Sequence, residues 1–133
     1  MTSMAGAQVV LWSKEPPEMA TVAAALVRHG CSVQELRSLE QVRETLEEQP
    51  VDLIVAQMCR CCLEWKDLFR AETLRAKLPP VLLFASDYDV DLYLEAMGSG
   101  AFDTISAPLD ECELIRIAYH ALEGQPAMSG KGD

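Results

Sequence analysis

Short apolar runs alternate with amphipathic stretches of helical length along most of the chain, and that alternation leaves few folds open. The runs are Val9–Trp12, Cys31–Leu36, Leu53–Ala56, Val81–Ala85 and Phe102–Ile105. Each is too short for a helix, and they are rich in Val, Leu, Ile and Phe, as strands are. Val9–Trp12, Leu53–Ala56 and Val81–Ala85 are apolar without alternation, the pattern of strands covered on both faces in a parallel sheet. Cys31–Leu36 alternates polar with apolar residues and suits a place nearer an edge.

The intervening segments carry helix signals. Pro17–His29 carries Met19, Val22, Ala23, Leu26 and Val27, with Pro17 at its start and Gly30 at its stop. Leu39–Glu48 follows Ser38, and Gln41 three residues on completes a capping-box pattern. Trp65–Leu78 ends at Pro79–Pro80, and Val90–Met97 follows Asp89 and stops near Gly98 and Gly100. Leu109–Glu123 has Asp110 as its expected cap and Glu113 three residues later. The order is strand–helix repeated five times. It predicts an α/β protein: a three-layer α/β/α (βα)5 flavodoxin-like fold around a five-stranded parallel sheet of order 2-1-3-4-5. The domain is expected over residues 1–124, with 125–133, rich in Gly, Pro, Ser and Lys, as a flexible C-terminal tail.

Composition narrows the function. With 133 residues, half of them hydrophobic, one domain can bury a core without disulfides or metal. The formal net charge of -10 argues against nucleic acid or an anionic membrane surface as a partner, since both require clustered Lys and Arg. No apolar run approaches a membrane span, and no basic-then-apolar leader opens the sequence. Five Cys at uneven spacing read as reduced thiols, so a cytoplasmic location is expected.

In an open parallel sheet, ligands bind outside the carboxyl ends of the strands. The residues there are Ser13, Lys14 and Glu15 after the first run, then Gln57, Met58 and Cys59-Arg60-Cys61-Cys62 after the third. Ala85, Ser86 and Asp87 follow the fourth run, and Ser106, Ala107 and Pro108 the fifth. Glu15 and Asp87 are the only carboxylates on this rim. Such a set is poor for a hard cation. No cofactor and no metal ion is expected.

"VVLWSKEPPEM" from Val9, "DLIVAQM" over Asp52–Met58 and "LEAMGSGAFD" before Ala107-Pro108 resemble the response-regulator receiver domains of two-component signalling. The resemblance covers about residues 8 to 123 and is strongest over Pro80–Asp110. It implies a signalling domain, not an enzyme. It also implies that the acidic pair of the family falls on Ser13 and Lys14, and the phosphoacceptor on Gln57. The hydroxyl residue that contacts the phosphoryl group falls on Ala85, the phosphate-pairing Lys on Ala107 and the aromatic switch residue on Thr104. Only Glu15 keeps a family-like character. Ala107-Pro108 falls where the family's peptide bond is usually cis.

Phosphoryl transfer to such a domain needs a carboxylate nucleophile, a metal and a cation on the phosphate. Gln57 is an amide, Lys14 brings an ammonium to the metal's place, and Ala85 and Ala107 supply no donor. The expectation is a pseudo-receiver that cannot accept phosphate. Lys14 is expected to pair with Glu15 or Asp87, a fixed charge in place of a metal. Such a domain would act through a protein partner, or a second copy of itself, on the face of the fourth helix, fifth strand and fifth helix. Asp91, Leu92, Glu95, Thr104 and Glu113 are the expected contact residues.

Two alternatives remain at this point. Cys59, Cys61 and Cys62 follow a strand and precede a helix, which would suit a thiol redox or soft-metal site. A displaced phosphoacceptor, Asp87 or Glu64, is the other. No Gly-rich phosphate loop follows the first strand, and Ser13 has no triad partners in a matching place.

Overall fold

A computed structural model describes residues 4–13, 16–58, 64–70, 78–85 and 90–124. The strands are β1 (Gln8–Trp12), β2 (Ser32–Leu36), β3 (Leu53–Met58), β4 (Val81–Ala85) and β5 (Asp103–Ser106). The helices are α1 (Pro16–Arg28), α2 (Leu39–Glu48), α3 (Glu64–Arg70), α4 (Val90–Ser99) and α5 (Glu111–Gly124). All strand pairs are parallel and the sheet order is β2-β1-β3-β4-β5. This is the flavodoxin-like arrangement that the alternation predicts.

The apolar runs do not alternate because each strand feeds two cores. Val9 and Leu11 of β1, Leu53 and Val55 of β3, and Leu82 and Phe84 of β4 point to one side. There they meet Met19, Val22 and Leu26 of α1 and Leu114, Ile117 and Ala118 of α5. The residues between them, Val10, Trp12, Ile54, Ala56, Leu83 and Ala85, point to the other side. That side is closed by Val42 of α2, Trp65, Leu68 and Phe69 of α3, and Leu92 and Ala96 of α4. A period of two across two covered faces yields continuous hydrophobicity.

The helix starts follow their caps. Ser38 Oγ accepts the Gln41 N–H at 3.1 Å and so caps the first turn of α2, while Gln41 Oε1 returns to accept the Arg37 N–H at 2.8 Å before the helix. Asp110 Oδ1 accepts the N–H groups of Cys112 and Glu113 at 3.0 and 3.3 Å, which places the cap outside α5. The helix expected over Trp65–Leu78 is described only as far as Arg70, and Leu78 lies outside any helix. The expected tail, 125–133, lies outside the described residues.

The end of α1 is tied to the start of α5. The Arg28 guanidinium pairs with Glu111, and His29 Nε2 lies 3.5 Å from the same carboxylate. The hydrogen bond from Arg28 holds the Glu111 carboxyl below its usual range, with the charges of Arg28 and His29 adding to it. A carboxylate lowered in the folded state stabilises the fold above its unfolded pKa, and that contribution is lost as pH falls through the folded value. Glu111→Gln should therefore be slightly less stable than the unaltered chain at neutral pH. The gap should close in acid below the ordinary glutamate range, and in high salt. Thermal unfolding across pH checks this; a gap independent of pH would contradict it.

Candidate functional site

β1 and β3 lie side by side, with Trp12 opposite Ala56. The inward columns Val9–Leu11 and Leu53–Val55 therefore each continue to a polar residue at the carboxyl end of the sheet. These are Ser13 and Gln57. Ser13 is only 6% exposed and Gln57 is half-buried. A buried hydroxyl without a partner would be costly. Here Ser13 Oγ donates to Gln57 Oε1 at 2.6 Å, and the Ser13 N–H donates to the Leu36 carbonyl at 3.2 Å. Two neutral side chains, 44 residues apart, thus close on one another where the resemblance sets two acidic positions.

The other rim positions are small or turned away. Ala85 ends β4 opposite Met58, is buried in the α2–α3–α4 core, and accepts the Ala107 N–H through its carbonyl at 3.1 Å. Thr104 sits in β5 opposite Leu83 and is half-buried, and its N–H donates to Asp103 Oδ1 at 2.8 Å. Ala107 and Pro108 are exposed, and the peptide bond between them is cis. Lys14, Glu15 and Asp87 lie outside the described residues, and so does any pairing among them.

A divalent cation of the Mg²⁺ type is held by several oxygens, carboxylates among them. The described part of this rim offers a hydroxyl and an amide oxygen bonded to each other. That donor set does not fit such a cation. Among the described residues, no group of three or more His, Cys, Asp or Glu side chains is placed to hold a metal ion.

Cys59, Cys61 and Cys62, which carry the redox alternative, lie outside the described residues. Of the cysteines that are described, Cys31 is buried and donates to the Met4 carbonyl at 3.7 Å. Burial, with a smaller effect from the Asp52 charge, pushes its thiol up and away from the reactive thiolate. Cys112 is exposed in the first turn of α5. Of the displaced-acceptor candidates, Asp87 and the side chain of Glu64 are also outside the described residues.

On the expected contact face, Asp91, Glu95 and Glu113 are exposed and Thr104 is half-buried. Leu92 is a correction. It is 7% exposed and packs in the α2–α3–α4 core with Ala96, four residues on, so it offers nothing to a partner. The apolar residues that do face outward from α4 are Val90, Leu94 and Met97. Glu95 is also not free: Lys66 Nζ of α3 reaches its carboxylate at 2.6 Å.

No protein-family model matches the chain. It is similar to the response regulator GtcR of Aneurinibacillus migulanus, 28% identical over 107 residues. The match takes in 80% of this chain but only 44% of that regulator's length. Among solved structures, it resembles the signal receiver domain of an HD domain-containing protein from Pseudomonas fluorescens Pf-5. That likeness has a TM-score of 0.76 at 20% identity, over 91% of this chain and 98% of the other. The beryllofluoride-activated NtrC4 receiver domain dimer matches with a TM-score of 0.75 at 16% identity, over 87% and 96% of the two chains. The sequence match and the shared parallel (βα)5 architecture agree: the chain is similar to a response regulator over 107 residues and has the fold of the receiver domains it resembles.

Proposed function

We propose that this receiver domain signals without accepting a phosphoryl group, and that it acts by binding protein rather than by catalysis. The Ser13–Gln57 hydrogen bond carries the reading. An acyl phosphate needs a carboxylate nucleophile, and the amide of Gln57 is uncharged and already engaged through its oxygen. The substitutions at Lys14, Ala85 and Ala107 remove the cation site and both phosphate donors together, so no single neighbour compensates.

A protein partner is the natural output of such a domain. The NtrC4 receiver, which shares the fold, is a dimer. The exposed surface of α4, β5 and α5, with Asp91, Glu95, Thr104 and Glu113, is the contact face in this reading. A cytoplasmic setting suits the free thiols of Cys31 and Cys112. Among the described residues, no helix is long and apolar enough to cross a membrane.

Incubation with a small phosphoryl donor such as acetyl phosphate in Mg²⁺, followed by intact-mass measurement, tests the reading. The expected result is an unchanged mass. A phosphorylated species that maps to the strand-end loops, whether at Asp87, Glu64 or elsewhere, would contradict it.

A further inference from the structure

We infer that Met4–Ala7 is a hinged strap seated on Gly30, and that its opening, with the sheet intact, is what admits reagents to the Cys31 thiol. The strap precedes β1, at the opposite end of the parallel sheet from the Ser13–Gln57 pair, and does not depend on the phosphorylation-free reading.

The strap is folded on itself and bonded to the α1–β2 turn. The Ala7 N–H donates to the Met4 carbonyl at 3.0 Å, and the Gly6 N–H donates to the Gly30 carbonyl at 2.8 Å. Met4 and Ala7 are buried in the α1–α5 core, where Cys31 also lies, while Ala5 and Gly6 are exposed. Gly30 is shaped as the seat: a Cβ there would lie 2.9 Å from Ala5 Cα, so the strap closes only over a residue without a side chain. Cys31 is 6% exposed and its thiol donates to the Met4 carbonyl at 3.7 Å, so the strap lies directly on the sulfur.

The bonding changes at Gln8, which makes it the hinge. The Gln8 N–H donates to Asp52 Oδ2 and the Gln8 carbonyl accepts the Asp52 N–H, both at 2.8 Å. Gln8 also pairs with Ser32 in the β1–β2 ladder. From Gln8 onward the chain is therefore fixed between two neighbours. Ahead of it, a short segment with half its residues exposed is anchored in the core by Met4, and such a segment opens before the strands it adjoins. Opening draws Met4 out of the core and its carbonyl off the thiol. In the closed form burial, with a smaller effect from the Asp52 charge, also favours the protonated thiol, so opening changes both its access and its ionisation.

The test alkylates the unaltered full chain with iodoacetamide over a urea series that stays below the unfolding transition. The Cys31 sulfur, as thiolate, bonds to the reagent's methylene carbon as iodide leaves, and the thiol proton passes to solvent. Peptide mass spectrometry reads Cys31 apart from Cys59, Cys61, Cys62 and Cys112. The expected Cys31 rate is slow and flat across the series, because opening the strap exposes little surface. Amide exchange at Gly6 should report the same opening, with exchange at Asp52, beyond the hinge, at least about tenfold slower. Met4→Ser removes the core anchor, and Gly6→Pro removes both the N–H that Gly30 holds and the φ of +84°. Each should speed Cys31 labelling about tenfold or more. Met4→Leu refills the core and should leave the rate near that of the unaltered chain.

A Cys31 rate that climbs with urea as steeply as global unfolding does would overturn the inference, since the thiol would then be reached only through the unfolded chain. So would labelling as fast as that of the exposed Cys112. Urea unfolding of each variant supplies the remaining control. Met4→Ser and Gly6→Pro that speed labelling only in proportion to their loss of global stability would make the segment part of the core rather than a strap.

Discussion

Refilling the pocket with Ser13→Asp, Lys14→Asp, Gln57→Asp and Ala107→Lys together should give a domain that binds Mg²⁺ and is phosphorylated at position 57. In the unaltered chain the strand ends present a hydroxyl bonded to an amide, and neither side chain gains from a cation. The refilled variant sets carboxylates close together. Without metal they repel, so it should be less stable than the unaltered chain. With Mg²⁺ the loss should reverse. At a concentration about 100-fold above its Kd the ion would add roughly 2.7 kcal/mol by mass action. Thermal unfolding with and without Mg²⁺ reads this, and the unaltered chain should show no such dependence. Equal Mg²⁺ dependence in both proteins would contradict the account. So would a refilled variant that neither binds the ion nor accepts phosphate, because these four side chains would then not be what separates the chain from a working receiver.

Gly30→Ala should destabilise the fold by about 2–4 kcal/mol, a large share of the roughly 5–15 kcal/mol that holds a domain folded. Gly30 links α1 to β2 with φ +93°, a left-handed conformation that a side chain strains. A Cβ there would also lie 2.9 Å from Ala5 Cα and 3.2 Å from Ala5 Cβ. That contact cannot be relieved cheaply, because the Gly6 N–H is bonded to the Gly30 carbonyl at 2.8 Å and pins the segment before β1 against this turn. Gly98→Ala is the matching control. It lies in α4 with open space around the new methyl, so helix propensity should make it more stable by up to about 0.5–1 kcal/mol. Urea unfolding of the two variants should therefore move in opposite directions. A neutral Gly30→Ala would mean that the segment before β1 yields readily.

The sheet was legible because β1, β3 and β4 are covered on both faces, which leaves no polar position to blur the run. The ends of the strands were less so. β3 continues through Gln57 to Met58, two residues past the apolar stretch, because Gln57 stays paired in the ladder opposite Phe84 despite its polar side chain. β5 begins at Asp103 rather than Phe102, at the sheet edge where alternation and polarity are both tolerated.

Helix α4 shows a different limit. Val90, Leu92, Tyr93, Leu94, Ala96 and Met97 place apolar groups around most of its circumference. Periodicity alone therefore cannot say that Leu92 is inside and Leu94 outside; packing against α3 and the sheet decides it. The Ser13–Gln57 hydrogen bond was not legible in the sequence, since the two side chains meet only through the β1–β3 register.

The proposal that this domain does not take a phosphoryl group rests on the amide at position 57 and its hydrogen bond to Ser13. An NMR titration of the unaltered chain with Mg²⁺ and beryllofluoride tests it most directly. No saturable change is expected at Ser13, Gln57, Ala85, Thr104 or Ala107 as both are raised together. Saturable shifts centred on Ser13 and Gln57 would contradict it.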